Sequence, residues 1–208
     1  MTRRNLTMSK GILMVVSGPS GCGKGTVLAE ILKSDKIFYS VSATTRSPRP
    51  GETDGVNYHF LTKEKFEEMI AGDGMLEYAS YCGNYYGTPR KPVDDMLEKG
   101  CHVILEIEVQ GAMKIKEKCP DAVFIFILPP SLKELRRRLE KRGTESDEVI
   151  EKRLGEAAGE ISQAYKYDYA VVNGELSEAV DDLRSIIRAE ELKTAKIKNT
   201  IDEVLKNA

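Results

Sequence analysis

The segment SGPSGCGKGT, residues 17–26, combines glycines, a lysine and small polar residues in a pattern that binds phosphate. Residues 18–24 match GxxxxGK, a spacing in which successive backbone N–H groups turn inward around an anion and the lysine reaches the outer phosphates. A short apolar run precedes the segment and a helical pattern follows it, so the anion would also lie at a helix N-terminus. The pattern predicts a loop that binds a purine nucleoside triphosphate; a glycine-rich connecting turn is the alternative. The predicted contacts are Gly18, Pro19, Ser20, Gly21, Cys22, Gly23, Lys24, Gly25 and Thr26.

Gly25 narrows the class of enzyme. In P-loop GTPases and motor ATPases the residue after the lysine carries a hydroxyl that binds Mg²⁺ directly, and here the nearest hydroxyl belongs to Thr26. The chain also lacks a recognisable NKxD guanine-reading motif. A loop that reads GKGT resembles those of nucleoside monophosphate kinases, in which phosphates and water hold most of the Mg²⁺. We therefore expect a small-molecule phosphotransferase and keep a GTPase as an alternative.

Such an enzyme needs a second phosphate site, and the segment SVSATTRSPRPG supplies candidates for it. Arg46 and Arg49 lie in this proline-bounded loop, where two fixed guanidiniums can grip a phosphate monoester by forked hydrogen bonds. Tyr58, Tyr85 and Tyr86 follow as phenolic donors. The alternatives are a solvated basic loop and tyrosines that only pack within a sheet.

An alternation of buried strands and helices would position these residues. Apolar runs predict strands at 12–16, 103–109, 123–128 and 169–172. Helical patterns predict helices at 26–33, 110–118, 131–142, 147–164 and 176–192, with Ser131 and Glu134 as a capping box. This order predicts an α/β fold with a parallel sheet core flanked by helices. Residues 38–86 do not follow this alternation of strands and helices, and they indicate a small β-rich insert.

Composition limits the remaining choices. The chain has 208 residues, of which 41% are hydrophobic and 31% charged, with a net charge of −2. This balance argues against general affinity for nucleic acid, and the longest apolar run is too short to span a bilayer. Cys22, Cys82, Cys101 and Cys119 show no CxxC spacing, which favours reduced thiols. We expect a soluble cytoplasmic protein with neither a membrane nor a nucleic acid as partner.

Several motifs in a fixed order carry a family resemblance. They are SGPSGCGKGT, SVSATTRSPRPGE, LEYA, GNYYGTP, LEIEVQGA, RLEKRGTES and VVN. Together they resemble guanylate kinases over nearly the whole chain, to about residue 189. The resemblance implies a single domain over residues 1–208, with a core of residues 11–37, 90–135 and 165–189. It further implies a GMP-binding lobe at about 38–89, a helical lid at about 136–164 and a C-terminal helical extension at 190–208.

The resemblance also implies a role for each matched residue. GMP would be bound by Ser42, Arg46, Arg49, Tyr58, Glu77, Tyr86, Gly87 and Thr88, with Glu108 as a further candidate. Asn173 would lie near the adenine of ATP. Catalytic charge would come from Lys24, Arg46, Arg142 and Arg153. The charged segment RRRLEKRGTESDEVIEKR also holds Arg138 as a lid candidate. Mg²⁺ would arrive with ATP and have no direct protein ligand, with Thr26 and Glu106 as candidates for contact through water.

Glu77 is the residue that implies guanine. Guanine presents N1–H and N2–H₂ as adjacent donors and one carboxylate accepts both, whereas the unprotonated N1 of adenine would repel it. Glu106 and Glu108 stand where the family often has aspartates, so each charge is carried one methylene further. The implied function is ATP-dependent phosphorylation of GMP, and of dGMP. A non-catalytic guanylate-kinase-like binding module is the alternative, which the intact glycine set and Lys24 disfavour.

Apolar residues in the C-terminal tail recur at spacings close to three and four. They are Leu192, Ile197, Ile201, Val204 and Leu205. The spacing predicts a helix with one apolar face, which must be buried against something. The favoured interpretation is that the helix folds back on its own core. The alternative is that it packs against a second copy and makes a homo-oligomer.

Overall fold

The computed structural model describes residues 10–34, 36–141 and 146–206. In this part of the chain the strands are β1 (Leu13–Ser17), β2 (Ile37–Tyr39), β3 (Ala43–Thr44), β4 (His59–Phe60), β5 (Met75–Tyr81), β6 (Asn84–Pro89), β7 (His102–Glu106), β8 (Val123–Leu128) and β9 (Tyr169–Val172). The helices are α1 (Lys24–Ile31), α2 (Lys63–Ala71), α3 (Arg90–Glu98), α4 (Val109–Lys118), α5 (Leu132–Lys141), α6 (Asp147–Ser162), α7 (Leu176–Glu191) and α8 (Lys198–Lys206). A 3₁₀ turn, Gln163–Lys166, follows α6. The alternation of strands and helices confirms the predicted α/β fold.

Among the described residues, a five-stranded parallel sheet has the order β2-β7-β1-β8-β9. β1 lies in the middle because its apolar run is buried on both faces. Met14 and Val16 pack with side chains of α1 and α7, whereas Leu13 and Val15 pack with side chains of α3 and α4. Helices therefore cover both faces of the sheet, as predicted.

The ends of several elements differ from the prediction. β7 ends at Glu106 rather than at residue 109, because Glu108 is the N-cap of α4 with φ −69° and ψ 158°. The chain thus leaves the sheet two residues before the helix begins. The helix predicted at 147–164 ends at Ser162, where the backbone tightens into the 3₁₀ turn.

Half of the predicted capping box is present at the start of α5. The Glu134 backbone N–H donates to Ser131 Oγ at 3.0 Å, which satisfies one N–H of the first turn. The Glu134 carboxylate accepts hydrogen bonds from Arg137 and Arg138 instead. These bonds lower the pKa of Glu134 to about 2. The carboxylate is therefore paired with arginines of the same helix and does not complete the capping box.

Between β2 and α3 the chain forms a second sheet, in the order β4-β3-β6-β5. β5 and β6 are an antiparallel hairpin whose register shifts between Met75 and Glu77. This sheet is the β-rich insert that the composition predicts. Phe38 and Tyr39, which the prediction assigns to the insert, belong instead to β2 and pair with β7 of the core sheet.

Helices α2 and α3 are missing from the sequence-based prediction. Their apolar residues nevertheless have helical spacing. Phe66, Met69 and Ile70 of α2 pack in the core of the insert, and Val93 and Leu97 of α3 pack on the parallel sheet. The tyrosines, glycines and prolines around these short segments conceal the period.

Helix α7 is anchored to the sheet at its C-terminal end. Tyr169 of β9 donates its hydroxyl proton to Glu190 at 2.6 Å. His102 Nδ1 accepts the Ile12 backbone N–H at 3.2 Å, so Nε2 carries the proton that it donates to Glu191 at 3.1 Å. Both glutamates therefore connect the end of α7 to the core.

Helix α8 contradicts the interpretation that the tail folds back on the core. None of its described residues is buried, and Ile201, Val204 and Leu205 are 40%, 63% and 69% exposed. Within the described ranges, the helices are too short or too polar to cross a membrane. The apolar face of α8 is present as predicted, but the residues that the structure describes do not cover it.

Candidate active site

The glycine-rich loop leaves β1 at the carboxyl edge of the parallel sheet. α/β folds bind ligands at this edge where the order of the strands reverses. β1 is such a position, since β7 lies on one side of it and β8 on the other. The carboxyl ends of β7 and β9 bring Glu106 and Asn173 to the same edge. The fold therefore gathers three predicted ATP-side features from distant parts of the chain.

Gly18 and Gly23 of the loop have no room for a side chain. Gly23 has φ 93°, in the left-handed region, and a Cβ there would lie 2.3 Å from Asn173 Nδ2. A Cβ on Gly18 would lie 2.3 Å from the Ile127 carbonyl oxygen. Within the described part of the chain, by contrast, a Cβ on Gly25 would meet no atom within 4 Å. Sterics therefore require glycine at positions 18 and 23 but not at position 25.

The outer turn of the loop is held through the Cys22 carbonyl. This oxygen accepts from Asn173 Nδ2 at 2.8 Å and from Arg138 Nη1 at 3.2 Å. Arg138 also donates to the Asn173 carbonyl at 2.9 Å, so α5 and the end of β9 support the loop together. The Cys22 thiol points into the core, where burial raises its pKa and disfavours the thiolate. Cys22 therefore serves the loop through its backbone.

The side chain of Lys24 folds back over the glycine-rich loop. Its ammonium donates to the Gly18 carbonyl at 2.6 Å and to the Pro19 carbonyl at 3.2 Å. Neutral carbonyls hold this cation at the mouth of the loop. The ammonium is therefore beside the place where the loop's N–H groups would gather phosphate oxygens.

Helix α6 contributes an arginine to the same mouth. Arg153 Nη1 donates to the Ser20 hydroxyl at 2.9 Å. The predicted lid residue is therefore in contact with the loop. Arg142, the other predicted lid residue, lies outside the described residues.

The predicted GMP-binding residues converge, although they come from separate elements. A cavity of about 330 Å³ is lined by Ser42, Arg46, Arg49, Tyr58, Glu77, Tyr86 and Glu108. Gly87 and Thr88 follow Tyr86 on β6 and do not line the cavity, although Thr88 pairs with Glu77 in the β5–β6 register. Seven of the nine predicted residues thus line one cavity, and Thr88 contacts the carboxylate of one of them, Glu77.

Glu77 is the buried charge of this cavity. Its side chain is on β5, with 6% of the residue exposed, and Oε1 accepts from the Thr88 hydroxyl at 2.9 Å. Burial raises the pKa of Glu77, while the Thr88 hydrogen bond and the ammonium groups of Lys114 and Lys118 oppose that rise. A Cβ on Gly111 would lie 2.9 Å from Oε2, so the carboxylate occupies space that only glycine leaves open.

Arg46 has an internal partner that the sequence analysis did not assign. Its guanidinium donates two parallel hydrogen bonds to Glu52, each 2.9 Å long. Glu52 also accepts the Arg49 backbone N–H at 2.7 Å, which closes the loop between the two arginines. These hydrogen bonds lower the pKa of Glu52. The Arg46 guanidinium carbon lies 5.6 Å from the centre of the Tyr58 ring, which further orients it.

A second cavity joins the glycine-rich loop to this site. It measures about 390 Å³, and its lining includes Lys24, Tyr58, Glu106, Glu108 and Glu160. Residues of the loop and residues of the insert therefore face a common space. Two ligands bound in the neighbouring cavities would meet there.

A family model described as "Guanylate kinase" matches residues 10–190. The chain belongs to the guanylate kinase family. The guanylate kinase of Latilactobacillus sakei is 56% identical over 191 residues, which cover 91% of this chain and 94% of that protein. The guanylate kinase of Clostridium perfringens is 54% identical over 196 residues, which cover 94% of this chain and 91% of that protein.

A solved guanylate kinase structure, from Anaplasma phagocytophilum, superposes on this chain with a TM-score of 0.74. It is 40% identical and covers 91% of this chain and 90% of that one. Membership of the guanylate kinase family makes the chain a nucleoside monophosphate kinase. It confirms the predicted enzyme and disfavours both alternatives, a GTPase and a non-catalytic binding module.

Two residues at the guanylate kinase site, Glu52 and Glu160, were missed by sequence reasoning, and the contacts of a third, Arg138, were missed. Glu52 stands three residues after Arg49, and this proximity to a basic loop was an available signal. Arg138 was expected in the lid with Arg142 and Arg153, but no contact with the glycine-rich loop was expected for it. Glu160 is one of many acidic residues on α6. Burial raises the pKa of Glu160, which faces the joint cavity. No local pattern distinguishes Arg138 and Glu160, because their contacts come from other elements.

Proposed function

We propose that the chain transfers the γ-phosphoryl group of ATP to GMP, and to dGMP, giving ADP and GDP or dGDP. The observation that carries the proposal is Glu77, a buried carboxylate in a cavity that also contains Arg46 and Arg49. A cavity with a carboxylate and two guanidiniums suits a ligand with a pair of N–H donors and a phosphate.

Glu77 would select guanine over adenine. Its carboxylate can accept the N1–H and N2–H₂ protons of guanine, whereas the N1 lone pair of adenine would face the same negative charge. A buried group that loses its hydrogen-bond partner in this way discriminates by several orders of magnitude. Ser42 and Thr88 would contribute further contacts to the base, and Thr88 already holds one carboxylate oxygen.

The phosphate of GMP would be bound by Arg46, Arg49, Tyr58 and Tyr86. In the structure Arg46 is paired with Glu52, so an incoming phosphate would share or replace this carboxylate. Glu108, which lines the same cavity, would lie near the nucleoside. These groups would orient one phosphate oxygen toward the γ-phosphorus of ATP.

ATP would occupy the glycine-rich loop, with Asn173 near the adenine. Mg²⁺ fits the donors at this place, because Thr26 and Glu106 both line the cavity of about 370 Å³ at the loop. Oxygen donors suit this cation, which keeps several water molecules. When bound, Mg²⁺ would neutralise charge on the β- and γ-phosphates.

The transfer itself would need alignment and charge more than covalent chemistry. An oxygen of the GMP phosphate attacks the γ-phosphorus, and the bond from that phosphorus to the β–γ bridging oxygen breaks. Lys24, Arg46, Arg142 and Arg153 would stabilise the charge that develops. Closure of the helices around Arg153 would exclude water, which otherwise competes as acceptor.

A coupled assay of ADP release tests the proposal. ATP and Mg²⁺ are supplied with GMP, dGMP, AMP, CMP or UMP, and each is compared with the chain carrying Glu77→Gln. We expect turnover with GMP and dGMP, far less with the others, and loss of the guanine preference in the variant. Comparable turnover with AMP would contradict the assignment.

A further inference from the structure

Helix α4 contacts the outer edge of strand β5 through two lysines. β5 is the edge strand of the second sheet, so its outward carbonyls lack a ladder partner in that sheet. Lys114 Nζ donates to the Tyr78 carbonyl at 2.6 Å, and Lys118 Nζ donates to the Leu76 carbonyl at 3.0 Å. Carbonyls two residues apart point to the same side of a strand. The two ammonium groups therefore hold the residues immediately before and after Glu77.

The same face of α4 also contacts Glu77 itself. Gly111, Lys114 and Lys118 are spaced three and four residues apart, which places them on one side of a helix. At Gly111 the helix approaches the carboxylate so closely that a Cβ would lie 2.9 Å from Oε2. Lys114 Nζ also lies 5.7 Å from the centre of the Tyr78 ring. The Glu77 carboxylate is therefore seated against a helix and held on both flanks by that helix.

The rest of α4 is packed on the parallel sheet. Ala112 and Ile115, on another side of the helix, are fully buried in the core cluster beneath it. Helix α4 is thus rigidly attached to the core that carries the glycine-rich loop. Through its lysines it reaches the insert that carries Glu77.

We propose that Lys114 and Lys118 are positioning residues for base selection, which fix the Glu77 carboxylate relative to the core. Neither lysine lines the cavity, so both act through β5 and through their charge. The inference rests on the proposed function, in that it takes Glu77 to be the group that reads the base. It goes beyond that function by assigning part of the selectivity to a helix outside the insert.

Because the two lysines are charged, they affect the pKa of Glu77. A purely structural role would not affect this pKa, so its shift can be used as the readout. Both ammonium groups lower the pKa of Glu77 and oppose the effect of burial. The other charged groups that share the cavity are Arg46, Arg49, Glu52, Glu106 and Glu108, beside tyrosines. These groups are unchanged when a lysine is replaced. Removal of a lysine should therefore raise the pKa of Glu77 and move the acid-side loss of GMP affinity to higher pH.

The test compares Lys114→Met, Lys118→Met and the double variant with two controls. Lys116→Met removes the same charge from the same helix, but its ammonium contacts the Lys166 carbonyl and Asp168 rather than β5. Lys114→Arg keeps a charge and a donor at the edge of β5. Kinetic constants for GMP and ATP are measured from about pH 5 to pH 9, a range that spans ordinary and raised carboxyl pKa values. Thermal unfolding of each variant verifies that it is folded.

We expect each single variant to raise the KM for GMP about fivefold, the value of one typical hydrogen bond, with little change in the KM for ATP. The double variant should exceed either single one, Lys114→Arg should restore most of the affinity, and the acid limb should shift to higher pH. The inference is overturned if Lys116→Met has the same effect, if both KM values rise together, or if the acid limb stays in place.

Wild-type enzyme and Glu77→Gln are run in parallel. Failure of Glu77→Gln to weaken GMP would refute the proposed function and the inference with it, whereas failure of the lysine variants alone refutes only the inference.

Discussion

The glycine-rich loop and the arginine- and glutamate-lined cavity would bind phosphate groups by different means. The loop is one continuous segment whose backbone would bind the phosphates, and Asn173 and Arg138 support it at the Cys22 carbonyl. The cavity collects side chains from loops, from two strands of the insert and from the start of α4. The loop therefore depends on backbone shape, and the cavity depends on the placement of individual side chains.

The two regions also hold their cations differently. Lys24 is held by neutral carbonyls, whereas Arg46 is held by the Glu52 carboxylate through two hydrogen bonds. Phosphate bound at the loop would displace uncharged partners, but phosphate bound in the cavity would compete with an anion. Substitutions in the loop should therefore change mainly the kinetic constants for ATP, and substitutions in the cavity mainly those for GMP.

The largest effect is expected at the cavity, for Glu77→Gln. The amide would present an N–H group to one of the two guanine donors, so kcat/KM for GMP should fall about 100-fold or more. The KM for ATP should stay near its original value. Steady-state kinetics with each substrate varied in turn measure both. An equal loss for ATP would mean that the two regions are not separable.

The same variant should not weaken the fold. Burial raises the pKa of Glu77, so the folded chain binds this proton more tightly than the unfolded chain. The cost of ionising the carboxylate is then fully present above the raised pKa, and it is relieved as the pH falls through that value. Without nucleotide, Glu77→Gln should therefore melt at the same or a higher temperature than the original at neutral pH, which calorimetry can determine.

Replacing Lys24 with alanine should have the next largest effect, which is on turnover. Loss of this mobile charge at the reacting phosphates should lower turnover at least tenfold, which corresponds to about 1.4 kcal/mol of barrier. The folded variant should still bind GMP, because Lys24 does not line the cavity proposed for GMP. Turnover assays and calorimetric GMP binding measure the two effects. Near-normal turnover would show that Lys24 is not at the transferred group.

Two alanine substitutions within the loop form a matched pair. Gly23→Ala places a Cβ on left-handed backbone against Asn173, and such a conformation costs about 1–2 kcal/mol. We expect the KM for ATP to rise about five- to thirtyfold, in line with that free energy. Gly25→Ala has open space for its Cβ and should change the KM for ATP little. If the two variants behaved alike, backbone shape at position 23 would not determine binding at the loop.

The smallest effect on either site is expected from shortening the tail. Deletion after Ala189 removes Glu190 and Glu191 and their hydrogen bonds to Tyr169 and His102, so stability should fall by about 2–3 kcal/mol. Deletion of residues 198–208 removes an unburied helix and should cost less than about 0.5 kcal/mol. Both chains should keep the preference for GMP.

Light scattering on the same chains tests whether the apolar face of α8 binds a second copy. A change from oligomer to monomer on removal of α8 would support that contact. A monomer in the full-length chain would eliminate it. An altered preference among nucleotides would contradict the placement of the tail outside both sites.

Much of the fold was open to prediction because its determinants are local. Continuous apolar runs identified β8 and β9 to the residue, and the glycine spacing between β1 and α1 identified the phosphate-binding loop. The periods of α2 and α3 were present in Phe66, Met69 and Ile70 and in Val93 and Leu97, but these segments lie beside runs rich in turn residues. The matched motifs named the residues of the cavity, although no local period relates them.

By itself, then, the sequence determined which segments become strands, helices and phosphate-binding loop, because backbone preferences and apolar periodicity act over a few neighbouring residues. The tertiary structure alone decided which side chains contact each other. It places Glu52 beside Arg46, Arg138 at the Cys22 carbonyl, and Glu77 against Gly111. It also decided that α8 is not covered by any of the described residues. Such contacts depend on the order of strands and on the distance between elements, and a buried carboxylate takes its pKa from everything packed around it.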